Sequence, residues 1–187
     1  MNLLKAYFHY MEHPAPALEA FVAEKSFSQA CVGYLAAALG WVLFFNIGAG
    51  LSVAALLAKW IVLFAAEVTA GDFLAAVCAL YLDFARVKVS AAEMFCLLGT
   101  AGFINGLLMA MALLSAAWPA ARLGVLAPLG ILLVWGLKLG YLTRGLMRLY
   151  QLSAAKALGA WLFTAVPLGA VAVLGFAFFV WGVTLLF

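Results

Sequence analysis

The sequence predicts an all-α membrane protein: a polytopic helical bundle of about five transmembrane helices, preceded by a short N-terminal amphipathic helix. Three observations point there. First, 70% of the 187 residues are apolar and 9% are charged, whereas a soluble domain carries about 25% charged residues. Ten basic and seven acidic side chains cannot coat a soluble surface of this size. Second, the apolar residues fall in charge-free stretches long enough to cross a bilayer. Third, most Lys and Arg residues gather on one side when those stretches are threaded through a membrane. The 14% aromatic content excludes a disordered chain. No basic run is present, so no nucleic-acid partner is expected.

The elements follow in order. Residues 1–26 read as a cytoplasmic segment, and 27–187 as a single transmembrane helical domain. The first residues lack a basic start, apolar core and small-residue cleavage site, so no signal peptide is expected. After Pro14 and Pro16, Leu18, Phe21 and Val22 share one helical face beside Glu19, Glu24 and Lys25, the pattern of a helix lying on the membrane surface. Ser26 to Ala58 carries no charge and is broken at Asn46-Ile47-Gly48-Ala49-Gly50, which places the first span near Phe27–Phe45. Leu51 to Asp83 is too long for one straight span and contains Thr69-Ala70-Gly71-Asp72. It reads either as one span near Trp60–Leu82 behind an outer loop or in-plane helix, or as two short spans meeting at Gly71. A third charge-free stretch gives a span near Ala92–Trp118, stopped by Pro119. Leu123 to about Thr143 is the next, and Ala157–Phe187 the last.

Charge position chooses between the two readings of 51–83. With one span there, Lys5, Lys25, Arg86, Lys88, Arg144, Arg148 and Lys156 share a side, leaving Lys59 and Arg122 on the other. With two, the basic loops are split across the membrane. The positive-inside rule therefore selects five spans, N-terminus cytoplasmic and C-terminus outside.

Ionisable and amide groups within the spans are the functional candidates, because they are costly in hydrocarbon. These are Glu67, Asp72, Asn105 and Lys138. Glu67 and Asp72 form an ion or proton relay with Lys138 if they lie near mid-membrane. They are interfacial if Gly71 ends a helix, and Lys138, roughly 9 Å from the level of Arg144, then snorkels. Asn105 is expected to cross-link helices. Gly102, Gly106, Gly136 and Gly140 form two GxxxG spacings expected to pack spans within the chain. Asp83 and Arg86 can pair on one helix face. Ser153 can cap a helix starting at Ala154. Arg144, Arg148 and Lys156 form a juxtamembrane cluster that either anchors the topology or holds anionic lipid headgroups. Cys31, Cys78 and Cys96 form no metal or redox spacing and are expected to be reduced and buried. His9 and His13 lack a third ligand at metal spacing, so no metal site is expected. No nucleophile elbow, HExxH or phosphate loop is present, and both histidines lie far from any serine candidate. No catalytic residue and no cofactor is expected.

Two segments resemble the Yip family of Ypt/Rab-interacting membrane proteins, particularly its bacterial branch. One is Val87-Lys88-Val89-Ser90-Ala91-Ala92-Glu93-Met94-Phe95, followed by Leu97-Leu98-Gly99. The other runs from Trp135-Gly136-Leu137-Lys138-Leu139-Gly140-Tyr141 through Gly145-Leu146-Met147-Arg148 to Leu152-Ser153-Ala154-Ala155-Lys156-Ala157-Leu158. It is similar to that family's tryptophan-bearing fourth span, Gly-Leu turn and L-S-x-x-K-A-L start of the last span. The D-L-Y-G-P motif of the eukaryotic branch is absent, and Asn105 stands near where the family's third span often has proline. The resemblance implies a five-span, non-enzymatic scaffold or lipid- and protein-interacting factor. Membrane lipids and a membrane-protein partner or second copy would be its partners. The alternative is a small transporter or channel subunit using Glu67, Asp72 and Lys138.

Overall fold

The structure, a computed structural model, describes Pro16, Val22 and residues 24–47, 50–118, 126–167 and 169–170. These residues are helical with short connections, and no strand occurs among them. Helix α1 spans Phe27–Asn46 and α2 spans Val53–Phe84. A third crossing combines α3 (Ala91–Ala101), a 3-10 segment (Gly102–Gly106) and α4 (Leu107–Ala117). Helix α5 spans Ala127–Tyr150, and α6 covers residues 154–167. Four helical crossings are long and apolar enough to span a membrane: α1, α2, the composite third and α5. The protein is a helical membrane protein. The remainder of the expected fifth span, the amphipathic face around Leu18 and Phe21, and His9 and His13 lie outside the described residues. Val22 is described and is buried.

Residues 53–84 form one continuous helix. That settles the ambiguous region as a single crossing and corrects two expectations. The helix begins at Val53, with no outer loop before Trp60, and Gly71 does not end it. Ser52 caps the start, its Oγ accepting from the Ala55 N–H at 3.2 Å. Gly71 is needed because the Tyr34 ring of α1 lies directly against it, where a Cβ would overlap the hydroxyl. The same hydroxyl donates to the Phe95 carbonyl of α3 at 3.3 Å, so one tyrosine links three helices.

The register of the helices fixes their directions. Asn46 and Lys59 meet at one end of α1 and α2, with Tyr34 against Gly71 further along, so the two are antiparallel. Gly33 meets Gly99 and Gly102, and Gly40 meets Asn105, so α1 and the third crossing are parallel. Gly130 of α5 faces Phe44, while Tyr150 reaches Glu93, so α5 is antiparallel to both. Helix α1 touches α2 and all three parts of the third crossing and is the centre of the bundle. Half of its apolar window is buried against 17% of that of α2, which is peripheral.

Small residues set the α1–α3 distance. A Cβ at Gly33 would overlap the Gly99 carbonyl, and one at Gly102 the Gly33 carbonyl. Close backbone approach of this kind holds helices together where lipid removes any hydrophobic drive to associate. The expected GxxxG packing is therefore correct for Gly102 alone. A Cβ at Gly106, Gly136 or Gly140 would meet nothing within 4 Å, and Gly136 and Gly140 are exposed. The α1 residue that packs against both Gly99 and Gly102 is Gly33, while Gly40 packs against Asn105.

Candidate functional site: a polar layer between two apolar clusters

The buried apolar residues fall into two clusters. One holds Tyr34, Cys78, Leu82, Leu97, Leu142 and Leu146. The other holds Phe44, Leu108, Met111 and Val134. Three of the polar candidates sit at the boundary. Lys138 lies on the α5 stripe formed by Val134, Lys138 and Leu142, one turn from each cluster. Asn105 lies between Ala101 and Leu108 and against Gly40. Glu67 lies one turn from Gly71 on α2.

Height along α1 can be counted from these contacts. Gly71 is level with Tyr34, so Glu67 is level with about Ala38 at a rise of roughly 1.5 Å per residue. Gly130 is level with Phe44, so Lys138 lies about 12 Å further along, near Ala36. Asn105 is beside Gly40. The three groups thus occupy a slab about 6 Å thick around the middle of α1. This register brings Glu67 and Lys138 to one height in the bundle. Glu67 is the nearby carboxylate whose field acts on Lys138. Both side chains are half-buried, Glu67 on α2 and Lys138 on α5. Asp72 is exposed on α2 and does not join the layer, although its charge and that of Glu67 both act on Tyr34.

Asn105 corrects a further expectation. It is fully buried, yet neither its Oδ1 nor its Nδ2 has a hydrogen-bond partner among the described residues. Among the described residues it cross-links no helices through its amide. The backbone around it has tightened into a 3-10 segment, which interrupts the third crossing at the height of the charged pair.

A groove of about 800 Å³ opens beside this layer, between α1, α2 and α5. Its walls are mainly apolar, including Trp41, Val62, Leu63 and Trp135. Glu67 lies at its inner end and Lys59 with Asn46 at its outer rim. The rim is tied together: the Lys59 ammonium donates to Asn46 Oδ1 at 2.6 Å, and Asn46 Nδ2 donates to the Val42 carbonyl at 2.8 Å.

The opposite end of the bundle carries the basic loops. Arg86, Lys88, Arg144, Arg148 and Lys156 are all exposed there. One carboxylate organises the end. Glu93 Oε2 accepts from the Tyr150 hydroxyl at 2.7 Å and from the Ser90 N–H at 3.3 Å, and Oε1 lies 3.6 Å from the Lys25 ammonium. Ser90 Oγ accepts in return from the Glu93 N–H at 3.2 Å, completing a capping box. The S-x-x-E spacing was legible in the sequence, although its long-range partners were not. Ser153 does cap α6, its Oγ accepting from the Lys156 N–H at 3.5 Å. The expected Asp83–Arg86 pair on one helix face is not present. Arg86 lies past the helix end with φ at 63°, and its N–H bonds the Asp83 carbonyl. Cys78 and Cys96 are buried as expected, while Cys31 is half-buried.

The site joins opposite charges at mid-height to an apolar groove. That arrangement suits binding or charge movement within a membrane. Among the described residues no group of His, Cys, Asp and Glu could hold a metal ion. No protein-family model, curated protein or solved structure matches the chain.

Proposed function

We propose that the chain is a non-enzymatic integral membrane protein of the Yip type, a scaffold or lipid-interacting factor of a bacterial cytoplasmic membrane. Its N-terminus and basic loops would face the cytoplasm. The observation that carries this reading is the basic end: Arg86, Lys88, Arg144, Arg148 and Lys156 are exposed together at one end of the bundle, while the other end shows Lys59 among the described residues. An acidic membrane surface attracts such a cluster by about 1 kcal/mol per Lys or Arg. The partners would be acidic lipid headgroups and a membrane protein or second copy docking on that surface. Replacing Arg144, Arg148 and Lys156 by Gln and measuring acidic lipid carried through detergent purification tests it. Retention should fall while the protein still elutes as the folded species, and unchanged retention rejects the reading.

A second reading, a small transporter or channel subunit, is favoured by one specific feature. Lys138 stands on the core-facing stripe of α5 at the height of Glu67, and Glu67 lies at the inner end of a groove. Charged groups at such depth are rare without a conduction or coupling role. Ion or proton flux into liposomes containing the purified chain, compared with Glu67→Gln and Lys138→Gln, decides it. No flux in the unaltered chain sinks this reading.

A further inference from the structure

The groove between α1, α2 and α5 is a second candidate site, separate from the basic end and independent of what that end binds. Its rim lies where α1 terminates, at Asn46, and so at the depth of lipid headgroups. From Lys59 to Glu67 along α2 is about 12 Å, close to the roughly 15 Å depth of one hydrocarbon leaflet. The groove opens to the outside of the bundle: Val62 is 70% and Trp135 62% exposed. Only two of its lining residues are charged, Lys59 and Glu67. Glu67 stands at the height of Lys138, which is not among the lining residues. Among the described residues the Lys59 ammonium donates to the neutral Asn46 amide and pairs with no carboxylate, which leaves its charge for an anion.

We infer that this groove binds one acidic phospholipid of the membrane, with the phosphate at Lys59 and an acyl chain lying along Val62, Leu63 and Ala66 toward Glu67. Asn46 holds the lysine stem so that the ammonium stays at the rim. The Trp41 and Trp135 rings supply apolar wall on α1 and α5. The polar layer closes the groove at mid-height, so the site takes a lipid from one leaflet only, the leaflet on the Asn46 side.

The test uses the full-length chain reconstituted in equal amounts of phosphatidylglycerol and phosphatidylcholine, then released into mild detergent for native mass spectrometry. The reading is taken on the last lipid retained as collision energy rises. That lipid should be phosphatidylglycerol. Lys59→Gln should keep the number of retained lipids but lower the preference for phosphatidylglycerol at this site about fivefold, the effect of one lysine at an acidic surface. Ala66→Trp, which fills the groove from an exposed position, should hold one lipid fewer, and Val62→Trp repeats this test in a second variant. Unchanged preference in Lys59→Gln overturns the proposal, as does an unchanged lipid count in both tryptophan variants. A disulfide between Ala66→Cys and Gly175→Cys in membranes would also overturn it, since the groove would then hold the chain's own C-terminal residues.

Discussion

Replacing Gly99 by Ala should destabilise the bundle, and replacing Gly136 by Ala should not, although both are glycines in apolar spans. A Cβ at Gly99 would stand 2.6 Å from the Cα and the Cβ of Ala30 and 2.7 Å from its carbonyl oxygen. Carbon atoms rest about 3.5–4.0 Å apart, so α1 and α3 must separate by about 1 Å. A gap of that size forfeits roughly a quarter to a half of each dispersion contact along the seam. The neighbour is backbone and cannot rotate away, which puts the overpacking cost near the upper end of about 1–3 kcal/mol. Alanine recovers about 1 kcal/mol of helix propensity over glycine. The net loss is then about 2 kcal/mol. At Gly136 a Cβ meets nothing within 4 Å, so only the propensity gain of about 1 kcal/mol is left. Reversible unfolding in mixed detergent micelles, followed by tryptophan fluorescence, should separate the two variants by about 3 kcal/mol. Equal stability would refute the close-contact account of the α1–α3 seam.

Other outcomes follow from the same contacts. Gly71→Ala should cost about 1–3 kcal/mol by driving a methyl into Tyr34, and Tyr34→Leu in the same chain should relieve most of that cost. A double-mutant cycle on Glu67→Gln and Lys138→Met should show favourable coupling of about 0.5–3 kcal/mol, with the double variant more stable than the sum of the singles predicts; additive losses would show that the two charges do not interact. Tyr150→Phe should lose about 1 kcal/mol through its hydrogen bond to Glu93, measured in the same unfolding assay.

Most of the fold was legible because hydropathy is local. Charge-free stretches place α1 and the third crossing within a residue of their observed bounds, whereas α5 starts at Ala127 and runs past Thr143 and Arg144 to Tyr150. Lys and Arg positions select one crossing for residues 51–83, and the helix there is continuous over Val53–Phe84. What was not legible depends on partners distant in sequence. Gly71 looks like a break until the Tyr34 ring is seen to fill the space its missing side chain leaves. Gly136 and Gly140 look like a packing motif, yet among the described residues nothing stands against them, whereas Gly33 packs on Gly99 and Gly99 on Ala30. The site divides the same way. Glu67, Asn105 and Lys138 stand out as expensive residues in any apolar chain. Their common height follows only from helix direction and register. The groove, and Lys59 at its rim, could not be read from sequence at all, since its walls come from three helices.

The central claim is that residues 53–84 cross the membrane once, so that the loops at Lys88 and Gln151 share one side and the Ser52 turn lies on the other. Single cysteines at these three positions, in a chain with Cys31, Cys78 and Cys96 replaced by Ala, can be labelled in sealed vesicles with a membrane-impermeant maleimide. Lys88→Cys and Gln151→Cys should label together and Ser52→Cys only from the opposite side. Labelling of Lys88→Cys and Gln151→Cys from opposite sides would contradict the topology and, with it, the placement of Glu67 and Lys138 at one depth.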